Sequence, residues 1–266
     1  MNISITLFRL RFILKLIGFF GFLSIPHILN KIGIKPELFR TWDQIATEFW
    51  KNNTHYLLSL LTTFYIGGLA IIISILIGIS FGILFSYKDR WLGYFESVSK
   101  FIWSIPLIVV AVYLNIFINI PIIYIIITGV FLGHFQILSY TYKKGNEDNE
   151  GILSLVASFN LSKKNEFRHF RIREIIKNLN IPLAQSVPLS YIGVTMGEYT
   201  YGRVAGSDEY GLGIDFQYGM QYSKFEIVYV SIILMVFLVF ISGEIFENFP
   251  IAKYYYNRIK EKISRK

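Results

Sequence analysis

The sequence predicts an all-α integral membrane protein with about six transmembrane helices. Of its 266 residues, 53% are apolar and only 17% are charged, whereas a soluble domain carries roughly 25% charged residues. Apolar runs recur along the chain, several of them close to the roughly 20 residues that cross a bilayer. Lysine and arginine are concentrated in alternate loops, as in multi-pass membrane proteins. The helices leave no room for a soluble domain, so residues 1–266 are expected to form a single transmembrane domain.

Six apolar runs are candidate membrane spans. They cover residues 10–29, 57–86, 101–118, 121–140, 181–201 and 225–249. The first run has the basic start of a signal peptide but no small-residue cleavage site after it, so we expect a retained helix. The fifth run is only weakly apolar, because it contains Gln185, Pro188 and Glu198. Charge distribution supports counting it as a span.

The distribution of positive charge predicts the orientation of the chain. If all six runs cross, 20 of the 26 Lys and Arg residues lie on one side, in the N-terminus, residues 87–100, residues 141–180 and the C-terminal tail. The side rich in Lys and Arg is normally cytoplasmic. Both termini and the 141–180 loop are therefore expected in the cytoplasm. Omitting the fifth span would place the basic tail outside.

One motif resembles a catalytic sequence but is better explained by helix packing. Residues Gly78, Ser80 and Gly82 match the G-x-S-x-G pattern of serine hydrolases, which requires a sharp strand-to-helix turn. Here the motif lies inside an uninterrupted apolar run. Small residues four positions apart instead allow two membrane helices to approach closely, and Gly193 and Gly197 repeat this spacing in the fifth span.

The sequence predicts no cofactor, no metal site and no enzymatic activity of its own. There is no cysteine, and the four histidines show no metal-binding spacing. His134 is the one histidine inside a span, and we expect it to hydrogen-bond to a neighbouring helix or to face water, most often in a packing role. No phosphate-binding G-x-x-x-x-G-K-[ST] loop occurs. If nucleotide drives this protein, another chain must bind it.

The 141–180 loop has an amphipathic pattern. Apolar residues at three- and four-residue spacing, including Leu155, Val156, Phe159, Phe167 and Phe170, alternate with basic residues. One interpretation lays this helix on anionic lipid. The other inserts its apolar face into a groove of a partner protein. Periodicity alone does not separate them.

This loop resembles the cytoplasmic signature of the permease subunits of bacterial ABC importers, in particular the nitrate, sulfonate and taurine type. The matching stretch begins at Ser154, which stands where the family has Glu, and Arg173 stands where the family has Pro. Asn160 stands at a Gly position. Asn is the residue after Gly that best tolerates a positive φ, so this departure is acceptable.

Further pieces of the resemblance follow in the family order between about Pro36 and Phe249. They are the turn at 86–91, the Ser-Ile-Pro-Leu stretch at 104–107, Gly197-Glu198, and Gly211-Leu212-Gly213. The resemblance implies a type I ABC importer-like bundle with its permease core at 57–249 and an additional first helix at 10–29. It also implies the cell (inner) membrane of a bacterium as the location.

The resemblance further implies a set of partners. A coupling helix in the cytoplasmic loop would dock on a cytoplasmic ABC ATPase dimer, a second permease copy would complete the path, and an extracytoplasmic solute-binding protein would deliver the cargo. Apart from these and the lipid bilayer no partner is implied, and nucleic acid is not expected. The docking residues carried over are Ser154, Leu155, Val156, Ala157, Phe159, Asn160, Leu161 and Ser162.

The fifth span is the predicted lining of the translocation path, because its polarity suits water or other helices better than lipid. The predicted path residues are Gln185, Ser190, Tyr191, Thr195 and Glu198. Glu198 either contacts cargo or a partner, or is simply solvated at the membrane interface. The loop 201–224 either receives the binding protein or is an ordinary solvated loop.

Two other classes of function are compatible with the sequence. An integral-membrane enzyme acting on lipid would need acidic and His side chains at one membrane depth, and His134, Glu198 and Glu244 are not obviously placed so. A non-transporting membrane scaffold could use the basic loop to recruit a cytoplasmic protein. The sequence does not indicate the cargo or whether the permease pair is a homodimer.

Overall fold

The architecture is a helical bundle, seen in a computed structural model that describes residues 2–87, 101, 104–147, 156, 158, 160, 162–177, 179–202 and 210–248. Within these ranges the secondary structure is helical, without a strand. The helices are α1 (Asn2–Lys31), α2 (Trp42–Lys51), α3 (Asn53–Tyr87), α4 (Leu107–Phe117), α5 (Pro121–Asn146), α6 (Lys163–Glu166), α7 (Ile172–Lys177), α8 (Asn180–Tyr201), α9 (Leu212–Gln221) and α10 (Phe225–Asn248). A π-helical turn, Phe167–Arg171, joins α6 to α7.

The predicted apolar runs lie in six of these helices. Helix α1 begins at Asn2, eight residues before the predicted run, and α3 begins at Asn53, four residues before its run. Helix α5 continues to Asn146, six residues beyond the predicted span, so the predicted loop at 141–180 begins inside a helix. Helix α4 is only 11 residues long, shorter than the predicted run at 101–118. It begins after Pro106, whose missing N–H and fixed φ favour the start of a helix over its interior.

In the part of the chain that the structure describes, three helices are long and apolar enough to cross a membrane. They contain the stretches Asn53–Ser86, Pro121–Asn146 and Phe225–Phe246. Helix α8 has 22 residues but a lower apolar content, because polar and proline residues interrupt it. Large apolar side chains such as Phe64, Leu76 and Phe237 are exposed on the bundle, as expected where helices face lipid. The fold is therefore that of an all-α membrane protein.

Helix α5 is the centre of the bundle and packs between α3 and α8. Glycines make these approaches close. A Cβ on Gly78 would lie 2.7 Å from Cβ of Ile137, and one on Gly193 would lie 2.6 Å from the carbonyl oxygen of Thr128. The prediction that the small-residue pairs serve helix packing is confirmed, and Gly78-Ile79-Ser80-Phe81-Gly82 is continuous α-helix rather than a turn.

Helices α2, α9 and α10 lie beside α3, and α9 and α10 also lie beside α8. Ile45 of α2, Tyr56 of α3 and Val230 of α10 form one buried cluster. Helix α9 lies against α8 and α10 and reaches α3. Its Leu212 is fully buried with Tyr191 of α8. The short helix α9 therefore packs into the core and is not a surface loop.

Candidate functional site

The bundle has two ends with different chemistry. We call the end that carries α2, the start of α3 and α9 the α9 end, and the opposite end, which carries residues 162–177, the loop end. At the loop end, Ser86 of α3 and Ile175 of α7 both lie beside Gly145 of α5. The predicted path helix α8 joins the two ends.

Three of the predicted docking residues are described. Asn160 has φ +46°, in the left-handed region that Gly and Asn tolerate best. Val156 is half-buried and Ser162 is exposed. Ser154, Leu155, Ala157, Phe159 and Leu161 lie outside the described residues. Their docking role stays a prediction.

The second half of the amphipathic loop packs on its own bundle. Phe167 is buried and Phe170 is half-buried, while Ile175 is completely buried. The expectation that the apolar residues of this loop are free for lipid or a partner is therefore wrong for Phe167. Helix α5 extends further than expected, and it packs against α7 and against the π-helical turn that contains Phe167.

Two predicted path residues are packing residues within this chain. Ser190 lies over Gly133, where a Cβ would come within 1.9 Å of the hydroxyl oxygen. The ring of Tyr191 covers Gly67, where a Cβ would come within 2.2 Å of the ring. Both side chains are buried. At these positions, the polar side chains of α8 are packed closely against α3 and α5 and do not form an open surface.

The other two predicted path residues of this group, Gln185 and Thr195, are less buried. Gln185 is exposed, near the loop end of α8. Thr195 is half-buried, and its hydroxyl donates to the carbonyl of Ile192 within the same helix at 3.0 Å. The path-lining role of Gln185 and Thr195 therefore stays a prediction with suitable geometry.

Glu198 is fully buried at the α9 end, so the expectation that it is solvated is wrong. The hydroxyl of Thr63 donates to its carboxyl oxygens at 2.9 and 3.0 Å. The backbone N–H of Gly213 donates to the same carboxyl group at 2.9 Å. Thr63 in turn accepts from the N–H of Leu212 at 2.9 Å. One carboxyl group thus connects α3, α8 and the first turn of α9.

This arrangement explains why glycines flank Leu212. The first N–H groups of a helix lack partners inside the helix and attract negative charge, and here they reach Thr63 and Glu198. A Cβ on Gly213 would lie 2.2 Å from the carbonyl oxygen of Thr195, and one on Gly211 would lie 2.9 Å from the carboxyl carbon of Glu198. The two sequence pieces Gly197-Glu198 and Gly211-Leu212-Gly213 are therefore in direct contact.

The carboxyl group of Asp215, on α9, makes a different contact. Oδ1 of Asp215 lies 2.7 Å from Nε2 of His55 on α3. Asp215 is buried, and its other oxygen, Oδ2, has no partner among the described residues. The pair borders a cavity of about 510 Å³ between α2, α3, α9 and α10, which is also lined by Glu48, Lys51 and Lys224.

Among these contributors, Thr63 and His55 were not predicted from the sequence, and Asp215 was considered only as a charged residue of the 201–224 loop. Thr63, His55 and Asp215 have no periodicity or motif that marks them, because their partners are far away in the chain. The glycines at 211 and 213 carried a usable signal. Glycine on both sides of a helix start predicts a close backbone approach, and a buried acid is a natural partner for free N–H groups.

His134 has an ordinary structural partner. Its Nδ1 lies 2.7 Å from the carbonyl oxygen of Val130, one turn earlier in α5. The contact lies within α5 itself, whereas we expected a hydrogen bond to a neighbouring helix or a side chain that faces water. In the described part of the chain, no group of three or more His, Asp and Glu side chains could hold a metal ion.

No protein-family model matches the chain. No curated protein matches it either.

Proposed function

We propose that this protein is the permease subunit of an ATP-driven, binding-protein-dependent solute importer. The observation that carries the proposal is the conformation of Asn160, which has φ +46° at the position where the resembled coupling signature has Gly. A non-Gly residue seldom adopts this region. A left-handed backbone at this position is one that Gly adopts without steric cost, and this supports the proposal.

The placement of charge supports the same function. The loop end carries basic residues such as Lys144, Arg168 and Arg173, and a surplus of Lys and Arg marks the cytoplasmic side. We propose six spans with both termini in the cytoplasm. The coupling segment, residues 154–162, would then face a cytoplasmic ATPase, and the cavity beside His55 and Asp215 would face outward.

The proposed cycle needs only two arrangements of the bundle. Two copies would form a path between them, with Gln185 and Thr195 of α8 lining it. ATP binding by the ATPase dimer would move the coupling segments and shift the balance toward the outward-open arrangement, because nucleotide binds that arrangement more tightly. Selection of cargo would rest with the binding protein.

Co-purification tests this function. The tagged chain, extracted in mild detergent from its own membranes, should retain an ATPase. Leu155→Asp and Phe159→Asp should each release it, because a charge on the docking stripe is incompatible with an apolar groove. Asn165→Asp is the matched control, since Asn165 is exposed just beyond the segment. Thermal unfolding of each variant checks that the fold is intact.

Three outcomes would contradict the proposal. Retention of the ATPase by both Asp variants would remove the docking assignment. Absence of any ATPase from the native extract would favour a scaffold that recruits another cytoplasmic protein, while hydrolysis of lipid by the purified chain would favour the membrane enzyme.

A further inference from the structure

Arg171 is a buried arginine at the loop end. Its side chain is only 10% exposed. Nε and Nη2 contact Oε1 of Glu166 at 3.0 and 2.9 Å, and Nη1 donates to the backbone carbonyl of Glu147. A buried charge is costly unless it is paired and hydrogen-bonded, and here the guanidinium group has both kinds of partner.

The two partners belong to different parts of the chain. Glu147 follows the last residue of α5, whereas Glu166 ends α6, immediately before the π-helical turn that contains Arg171. The guanidinium group therefore ties the segment that follows the coupling signature to the end of the central helix. A planar fork of donors can reach two acceptors at once, which a lysine ammonium group on a flexible stem does less well.

A second contact holds the same segment about one turn later. Ile175 of α7 is completely buried, and its side chain lies 3.7 Å from the position that a Cβ on Gly145 would occupy. The side chain of Ser86 on α3 also packs against Gly145. The π-helical turn and α7 are thus held against α5 at two points.

The basic residues near Arg171 have a different orientation. Arg168, His169 and Arg173 are exposed, and Arg171 is the buried one of this group. One positive charge of the segment is therefore directed into the bundle and the others into solvent. π-helical turns are rare and occur frequently at functional sites, and here the turn is the element that directs Arg171 inward.

We infer that Arg171 is a positioning residue that makes the coupling segment and helix α5 move as one body. The inference rests on the proposed function, since it assigns how a displacement at residues 154–162 reaches the bundle. Without the guanidinium fork, the ATPase would still dock and hydrolyse ATP, but its motion would be absorbed in the segment around residue 166.

The test measures transmission separately from docking. The chain has no cysteine, so Gln185→Cys provides a single labelling site on the exposed face of α8 near the loop end. In the native complex, its rate of maleimide labelling should change when MgATP and vanadate are added. In the Gln185→Cys, Arg171→Gln double variant this change should be lost, with the ATPase and basal ATP hydrolysis retained.

Two variants make the outcome specific. Arg171→Lys keeps the charge but loses the fork, and should recover only part of the nucleotide-dependent change. Arg168→Gln removes an exposed charge from the same turn and should behave as the parent protein does. Glu166→Gln is a milder change at the same contact, for use if Arg171→Gln does not fold, and should reduce the response.

The possible failures are distinguishable. If the parent complex contains no ATPase, the proposed function fails. If the parent responds to nucleotide and Arg171→Gln responds equally, the inference on Arg171 is overturned while the function stands. Release of the ATPase by a folded Arg171→Gln variant would also overturn the inference, because Arg171 would then act in docking.

Discussion

Glu198 shows most clearly how one side chain can hold several helices of this bundle together. It is a fully buried acid, and in the described part of the chain no Lys, Arg or His lies within ion-pair distance of it. Its partners are a hydroxyl group and a backbone N–H. Acidic side chains inside a membrane protein are rare and usually functional. In this protein, the acid holds the first turn of α9 against α3 and α8.

Loss of the Thr63 hydroxyl should destabilise this junction. Thr63→Val removes the donor to Glu198 and the acceptor for the N–H of Leu212, and leaving such buried groups unpaired costs about 1–3 kcal/mol. We expect a lower midpoint of thermal unfolding in detergent, followed by tryptophan fluorescence. Thr62→Val is the matched control, because the hydroxyl of half-buried Thr62 has no partner among the described residues. Equal midpoints would contradict the assignment.

Asn160 allows a second test at the scale of one residue. Asn160→Gly should preserve or improve ATPase retention, because Gly adopts a positive φ without steric cost. Asn160→Val should reduce it, since the left-handed region costs an L-residue roughly 1–2 kcal/mol and a β-branched side chain is among the least tolerant. Identical retention by the two variants would show that the left-handed backbone is not needed for docking.

At the scale of helices, the bundle is assembled through small residues. Glycines on α3, α5 and α8 let the helices approach closely, and buried hydroxyl groups fill the remaining space. The hydroxyl of Ser186 on α8, for example, donates to the carbonyl of Gly133 on α5 at 2.8 Å. In membranes, where lipid is as apolar as a leucine side chain, such contacts provide much of the attraction between helices.

Substitution of glycine on α3 should therefore depend on its side of the helix. Gly78→Ala would place a Cβ 2.7 Å from Cβ of Ile137 and 2.9 Å from the carbonyl oxygen of His134, so α3 and α5 must separate. We expect a large drop in the unfolding midpoint. Gly68→Ala on the same helix meets nothing within 4 Å and should be neutral or stabilising, because Ala favours helix over Gly. A neutral Gly78→Ala would contradict the tight α3–α5 contact.

The helix boundaries show which elements can be predicted from sequence. Long apolar runs predict α3, α5 and α10 well, because each satisfies its own backbone hydrogen bonds in lipid. Helix α9 was not predicted, since its ten residues include Asp215 and Gln217 and have no apolar run. Contacts from distant residues, notably Glu198 and Thr63, stabilise its start, and sequence spacing carries no information on such contacts.

At the scale of the whole molecule, the proposed orientation can be tested by cysteine labelling. The chain contains no native cysteine, so each introduced one reports alone. A membrane-impermeant maleimide added to intact cells should label Met220→Cys, whose position at the α9 end is exposed, and should not label Asn165→Cys until the cells are opened. The reverse pattern would invert the topology and remove the proposed coupling to a cytoplasmic ATPase.

The candidate site was predictable only in part from the sequence. The same physical reason limits the prediction at the α9 end and at the loop end. The sequence indicated that α8 is unusually polar and that Asn160 stands at a position needing a positive φ. It did not indicate that Ser190, Tyr191 and Glu198 are turned toward neighbouring helices within the chain. Polarity predicts that a side chain avoids lipid, but packing alone decides whether it faces water or another helix.

Helix α3 has one further consequence through its length. Its 35 residues extend for roughly 52 Å, well beyond a hydrocarbon layer about 30 Å thick, so both of its tips stand in water. If α3 tilts as a rigid rod about the bilayer centre, a tilt of about 5° would move its two ends by roughly 2 Å in opposite directions. The end that carries His55 would then move toward the bundle axis as the end that carries Ser86 moves away from it.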